Sequence, residues 1–126
     1  ADIDLHVSKL YGMIHPNTSD TKTVRTVFII DKQGIIRTIL YYPQTTGRNI
    51  KEIYRILIAL QTTDAFGVST PADWMPGNPV LAPSPQTIQD VHKRLKTSKK
   101  NIDIITWYLA FRNLSESKIY EKITKK

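Results

Sequence analysis

Two runs of β-forming residues joined by a short turn constrain the fold of this chain more than any other feature. The first run is TVRTVFIID at 23–31 and the second is IIRTILYY at 35–42, with Gly34 closing the DKQG turn between them. Both are rich in β-branched and aromatic residues, which favour strands. The pattern predicts a β-hairpin. Because apolar residues occur on both faces, it also predicts a buried, central pair of strands.

A long helix is predicted after the hairpin. Pro43 ends the second strand, because proline cannot donate to a ladder. Asn49 and Glu52 then have the spacing of a helix N-cap and its acidic partner. The apolar residues that follow at helical spacing are Ile50, Ile53, Ile56, Leu57 and Leu60. This helix is expected to cover one face of the sheet.

Shorter elements are predicted at both ends of the chain. Asp4 as an acidic cap and Gly12 as a stop predict a short first helix. Ser84-Pro85 has the cap-plus-proline arrangement of a further helix, with Ile88, Val91 and Leu95 on one side. The segment 104–111 reads either as a strand or as an apolar segment that packs on a partner, and Leu114, Ile119 and Ile123 predict a last helix.

The chain changes character after Gln61. Prolines and glycines punctuate the next stretch at Gly67, Pro71, Pro76, Gly77, Pro79, Pro83 and Pro85. Such a stretch marks an extended arm or a domain boundary. We place the boundary near Thr62, which divides the chain into 1–62 and 63–126.

The net charge of +7 comes from the end of the chain. Residues 1–92 carry 8 Lys and Arg against 8 Asp and Glu, whereas residues 93–126 carry 10 against 3. A basic tail can attract nucleic acid or acidic surfaces, although most such segments are simply solvated.

Several kinds of site have no support in the sequence. The absence of cysteine removes disulfides, thiolate metal sites and cysteine nucleophiles. The histidines His6, His15 and His92 are too far apart for a metal motif, and no phosphate-binding or dinucleotide motif occurs, so no metal and no cofactor is predicted. No apolar run approaches the roughly 20 residues that span a bilayer, so no membrane partner is expected and a cytoplasmic location is the default.

Two arginines are the candidates for chemistry. Arg25 alternates with Val27 and Ile29, which places a guanidinium beside an apolar surface. Arg48 precedes the long helix, where the helix dipole favours anions. Each position is also compatible with a surface arginine that points to solvent or pairs with a carboxylate. Asp73, between prolines and beside Trp74, is expected to be a turn residue next to a packing aromatic.

Five segments together resemble the C-terminal two-thirds of one-cysteine-class peroxiredoxins. They are YGMIHPN (11–17), TVRTVFIID (23–31), GIIRTILYYP (34–43), TTGRNIKEIYRILIALQ (45–61) and TPADW (70–74). The resemblance covers residues 1–95, becomes loose at TWYLAFR (106–112) and ends before residue 113. It implies an α/β architecture: the C-terminal half of a thioredoxin-like fold, followed by a C-terminal arm that embraces a second subunit.

The resemblance also implies an activity. Peroxiredoxins reduce hydrogen peroxide and organic hydroperoxides with a peroxidatic cysteine, which an external thiol then regenerates. Arg25 matches the arginine beside that cysteine, and Arg48 matches the family's second active-site arginine. The cysteine-bearing half is not in this sequence, and Ala110 occupies a position where some relatives have a further cysteine. A partner polypeptide, or the remainder of a longer chain, is therefore expected to supply the thiol.

Two other functions stay open. The chain is a non-catalytic interaction or dimerisation module if no cysteine-bearing half joins it. It is a nucleic-acid-binding protein if the basic tail acts together with Trp107, Tyr108 and Phe111 as stacking groups.

Overall fold

The computed structural model describes residues 2–17, 22–96 and 102–125. Four helices and five strands occur in these ranges. In chain order they are α1 His6–Leu10, β1 Arg25–Ile30, β2 Ile36–Tyr42, α2 Ile50–Phe66, β3 Val80–Leu81, α3 Ile88–Lys96, β4 Ile102–Ile104, β5 Ala110–Arg112 and α4 Glu116–Thr124. The chain forms two compact units, Ala1–Ile50 and Lys51–Lys126, which are described separately.

The first unit is built on the predicted β-hairpin. Strands β1 and β2 pair antiparallel from Arg25 opposite Tyr42 to Ile30 opposite Ile36, with an irregularity after Ile29. In the turn, the Asp31 carboxylate accepts hydrogen bonds from the backbone N–H of Gln33 and of Ile35 at 3.0 and 2.9 Å. Gly34 takes φ +80°, a conformation that disfavours a Cβ atom. The hairpin prediction is confirmed.

The predicted burial of the strand pair is not reached within the described residues. Their sheet in this unit contains β1 and β2 only. Ile30, Ile36 and Ile39 are 46%, 45% and 42% exposed. A sheet of two strands lacks the neighbours that would cover such side chains.

Helix α1 is held at its start by a different carboxylate from the one predicted. Asp2 accepts hydrogen bonds from the backbone N–H of Val7 and Ser8 at 3.1 and 2.7 Å, and also from the Ser8 hydroxyl. These bonds lower the pKa of Asp2, the Ser8 hydroxyl contributing most. The predicted cap, Asp4, makes a longer bond of 3.3 Å to the N–H of His6. Gly12, with φ +63°, ends the helix as predicted.

The core of the second unit lies among α2, the 68–80 segment and α4. Its buried members are Ile58, Ala59, Val68, Trp74, Val80, Leu114 and Ile119. Trp74 is 1% exposed, and its indole N–H donates to the Asn78 carbonyl at 3.0 Å. The predicted last helix is confirmed as α4, and Ser115 caps it by accepting from the N–H of Lys118.

Three boundaries in this unit differ from those predicted. Helix α2 passes through Thr62 and ends at Phe66. The division of the chain near Thr62 stays a prediction. Helix α3 begins at Ile88 and not at Ser84-Pro85, because the Thr87 hydroxyl accepts from the N–H of Asp90 as an N-cap does. The segment 104–111 contains the end of β4 at Ile104, a turn at 105–109 and the start of β5 at Ala110. These two strands join β3 in a three-stranded sheet ordered β3-β5-β4.

None of the helices in the described ranges is long and apolar enough to cross a bilayer.

Candidate active-site arginines

Arg25 is the first residue of β1, and its Cα is paired with that of Tyr42 at the end of β2. Since side chains alternate along a strand, Arg25 shares a face with Val27 and Ile29, and with Leu40 across the ladder. The three apolar residues are half-buried, whereas Arg25 is exposed. The predicted placement of a guanidinium beside an apolar surface is therefore correct.

The backbone that carries Arg25 is held from two sides. The N–H of Val24, a buried residue, donates to the Met13 carbonyl at 3.0 Å. The Gln44 side-chain amide donates to the Thr23 carbonyl at 3.3 Å. Arg25 thus starts from a fixed backbone position, and its side chain is exposed.

Arg48 lies in the segment between Tyr42 and α2. A turn precedes it, in which the N–H of Thr46 donates to the Pro43 carbonyl at 3.0 Å. Arg48 is exposed and stands two positions before Ile50, the first residue of α2. Both arginines belong to the compact unit 1–50. Arg25 is paired with Tyr42, the last residue of β2, and Arg48 follows the turn that comes directly after this strand.

Neither guanidinium forms an ion pair with a carboxylate of the described residues. An arginine guanidinium can bind an anion, because it presents several N–H donors in a rigid fork. Arg25 and Arg48 cannot by themselves act as a nucleophile, and the sequence contains no cysteine.

A third arginine was not singled out from the sequence. Arg55 donates from Nε and Nη2 to the two carboxylate oxygens of Glu52 at 2.7 and 2.8 Å. These hydrogen bonds raise the pKa of Arg55 and lower that of Glu52. The pair stands three residues apart on α2, a spacing at which helical side chains meet, so the sequence contained this signal.

Arg55 borders an open cleft of about 300 Å3 in the second unit. The other lining residues are Ile56, Ala59, Leu60, Thr63, Thr70, Pro71 and Ala72. Because Glu52 already neutralises Arg55, and the nearby Asp73 adds a further negative charge, this cleft is a poor place for an anion.

Asp73 is the remaining residue that was singled out from the sequence. Asp73 has φ 56° in the turn that precedes the buried Trp74, as expected of a turn residue beside a packing aromatic. Within the described part of the chain, no group of three or more histidine or acidic side chains could hold a metal ion.

Comparison with known proteins finds relatives that align with most of the chain. Residues 59–98 match the family model described as the C-terminal domain of 1-Cys peroxiredoxin. Peroxiredoxin 2 of Caldanaerobacter subterraneus subsp. tengcongensis is 48% identical over 113 residues, which cover 90% of this chain and 51% of that protein. Peroxiredoxin of Aquifex aeolicus is 47% identical and covers 86% of this chain and 52% of its own length.

Solved structures show the same likeness in three dimensions. The yeast mitochondrial 1-Cys peroxiredoxin superposes with a TM-score of 0.70 at 35% identity, covering 87% of this chain and 53% of that one. The chain is thus an α/β fragment of the thioredoxin-like class. It belongs to the peroxiredoxin family and corresponds to the C-terminal half of its members. It spans about half the length of the relatives that it matches.

Proposed function

We propose that this chain is the arginine-supplying part of a thiol-dependent peroxidase. Arg25 and Arg48 would serve a peroxidatic cysteine on a cysteine-bearing N-terminal half, carried either by the same polypeptide or by a separate one. The observation that carries the proposal is that Arg25 and Arg48 are both exposed and make no ion pair within the described ranges, in the unit that contains the two-stranded sheet of β1 and β2.

The reaction explains why two arginines would be needed. The cysteine thiolate attacks the distal oxygen of the peroxide, the O–O bond breaks, and the products are a sulfenic acid and water or an alcohol. A fixed cation lowers the pKa of a thiol from about 8.5, so that the thiolate is present at neutral pH. The guanidinium N–H groups also stabilise the negative charge that develops on the leaving oxygen.

The rest of the peroxidase cycle requires an external thiol, and a second copy of the chain is also expected from the sequence. An external thiol would reduce the sulfenic acid, in line with the glutathione and thioredoxin systems studied with the yeast relative. A homo-oligomer is proposed because 63–126 includes, before its basic tail, the arm that embraces a second subunit in the resemblance described above. We also propose that the protein acts in the cytoplasm.

The test is complementation. The chain is produced together with the cysteine-bearing N-terminal half of the Caldanaerobacter relative, and peroxide consumption is followed with a dithiol as reductant. We expect turnover only when both polypeptides are present, and loss of turnover when the cysteine of the supplied half is replaced by serine. A folded complex of the two halves that consumes no peroxide would rule out the peroxidase role.

A second function is favoured by one observation. The chain has no cysteine, yet residues 51–126 have their own buried core closed by α4. A non-catalytic interaction module would need this core and no thiol. In the complementation experiment it predicts a stable complex without peroxidase activity.

A further inference from the structure

A single peptide group just before β1 is held by two hydrogen bonds that do not belong to the strand ladder. It joins Thr23 to Val24, so its carbonyl belongs to Thr23 and its N–H to Val24. The N–H donates to the Met13 carbonyl at 3.0 Å. The carbonyl accepts from the Gln44 side-chain amide at 3.3 Å. Both polar groups of this peptide are therefore satisfied, and its plane is fixed on both sides.

This peptide lies at the point where the hairpin ladder begins. The pairing of β1 with β2 starts at Arg25, opposite Tyr42, and residues 23 and 24 precede it. Elements open most easily at their ends, where few hydrogen bonds hold the backbone. The two hydrogen bonds of the Thr23–Val24 peptide extend the ordered backbone past the end of the ladder. They thereby fix the Cα from which the Arg25 side chain starts.

Gln44 connects this peptide to the segment that leads to Arg48. It lies in the turn after β2, in which the N–H of Thr46 donates to the Pro43 carbonyl at 3.0 Å. Its side chain is half-buried, so water competes less for the amide. The contact spans 21 positions of the sequence. One side chain thus joins the segment of Arg48 to the segment of Arg25.

We propose that Gln44 is a positioning residue for Arg25 in the peroxidase reaction. The inference rests on the proposed function, since it concerns how the guanidinium meets the thiolate and the peroxide. A misplacement of about 1 Å is enough to slow a reaction by roughly a hundredfold. Gln44 itself contacts neither the thiol nor the peroxide and acts through the Thr23–Val24 peptide.

Of the two hydrogen bonds on this peptide, only the one from Gln44 depends on a side chain. The bond to Met13 joins two backbone groups and survives most substitutions. The bond from Gln44 requires an N–H donor at the end of a long side chain, which only a few residue types provide. The Gln44 contact can therefore be removed by substitution while the rest of the hairpin is left in place.

The test compares Gln44→Met with Gln33→Met in the full chain, complemented by the cysteine-bearing half of the Caldanaerobacter relative. Methionine is close to glutamine in length, has no N–H donor and leaves the charge unchanged. Gln33 is an exposed residue of the turn at the other end of the hairpin. We expect Gln44→Met to lower turnover by roughly tenfold and to raise the thiol pKa towards about 8.5. Gln33→Met should change turnover by less than about twofold.

The double variant Arg25→Ala with Gln44→Met shows whether Gln44 acts through Arg25. If it does, the double variant loses no more turnover than Arg25→Ala alone, because the guanidinium to be positioned is already absent. Two independent effects would multiply and add a further loss of roughly tenfold.

A backbone measurement on the full chain requires no activity. Gln44→Met should speed hydrogen exchange of the Val24 amide by roughly tenfold, because this amide belongs to the peptide that Gln44 holds. Gln33→Met should leave the exchange of this amide unchanged.

Failure of this inference and failure of the proposed function give different results. A folded complex of the unsubstituted chain without turnover would overturn both. Turnover in that complex, with equal effects of the two methionine variants or with losses that multiply in the double variant, would overturn the role of Gln44 alone. A lower free energy of unfolding for Gln44→Met, with an unchanged thiol pKa and unchanged turnover of the folded complex, would likewise leave Gln44 with a stabilising role only.

Discussion

The hydroxyl groups of Tyr54 on α2 and Tyr120 on α4 are 3.0 Å apart and share a hydrogen bond. The contact joins the long helix to the last helix of the chain. Next to it, Ile119 is fully buried in the core, and the Lys122 ammonium lies 4.6 Å from the centre of the Phe66 ring. Residues 113–125, for which the sequence suggested no relation, are thus an integral part of the second unit.

The tyrosine pair predicts a loss of stability in base. The hydrogen bond with Tyr54, followed by burial, raises the pKa of Tyr120 to about 12 from a usual value of 10.0. The folded state therefore favours the neutral phenol, and this contribution is complete below pH 10.0 and is lost as the pH rises towards 12. Unfolding by urea at a series of pH values should show this decline.

Tyr54→Phe is the control for that experiment. It removes the hydrogen bond and leaves the ring, so the pKa of Tyr120 should fall and the decline should become shallower. An unchanged slope would mean that other groups cause the alkaline loss of stability.

Replacement of the buried Thr62 by valine is expected to stabilise the protein. Its side chain is fully buried, and its hydroxyl has no hydrogen-bond partner among the described residues. Thr62→Val keeps the shape and removes the unsatisfied group, and is expected to raise the free energy of unfolding by about 1 kcal/mol. Thr62→Ser keeps the hydroxyl but loses a methyl group, and should lower it by about 1 kcal/mol. A destabilising effect of valine would contradict this account of the site.

The packing of Ile119 leads us to expect that the last helix, α4, is required for stability. Because its side chain is fully buried in the core, Ile119→Ala should lower the free energy of unfolding by about 2 to 5 kcal/mol. Ile88→Ala makes the same chemical change at a residue that is 73% exposed, and should change it by less than about 0.5 kcal/mol. Equal effects of the two substitutions in chemical denaturation would show that α4 does not pack as described.

Replacement of Arg25 is expected to change the ionisation of the supplied thiol in the complemented peroxidase. Arg25→Ala should move the pKa of the supplied cysteine towards about 8.5. It should also lower the rate of peroxide consumption by roughly a hundredfold, the effect of removing a donor from a developing negative charge. The pH dependence of thiol alkylation measures the first effect, and stopped-flow peroxide consumption the second.

Arg37→Gln is the matched control, since Arg37 lies on the neighbouring strand and its guanidinium pairs with Asp31 at 3.6 Å. It should leave both measurements nearly unchanged. If the two arginine variants behave alike, Arg25 acts through the stability of the hairpin and not at the thiol.

The sequence by itself determined the local elements and the class of the fold. The hairpin, its turn at Gly34, the long helix and the last helix follow from residue type and periodicity, because hydrogen bonds within a turn or helix depend on neighbours in the chain. Arg25 and Arg48 were singled out by the same kind of reasoning, and their role stays a prediction. Boundaries were less well predicted, since the start of α3 depends on which of several hydroxyls, here Thr87, meets the helix N-terminus.

Only the tertiary structure decided which residues share a core and which stay exposed. Periodicity placed Ile88 and Ile119 alike on apolar helix faces, yet one is 73% exposed and the other fully buried. The difference arises because burial requires a second surface, and Trp74, Val80 and Ile58 provide one for α4. The contact between Tyr54 and Tyr120 could not be predicted for the same reason: the two residues are 66 positions apart in the sequence, and packing alone brings them together.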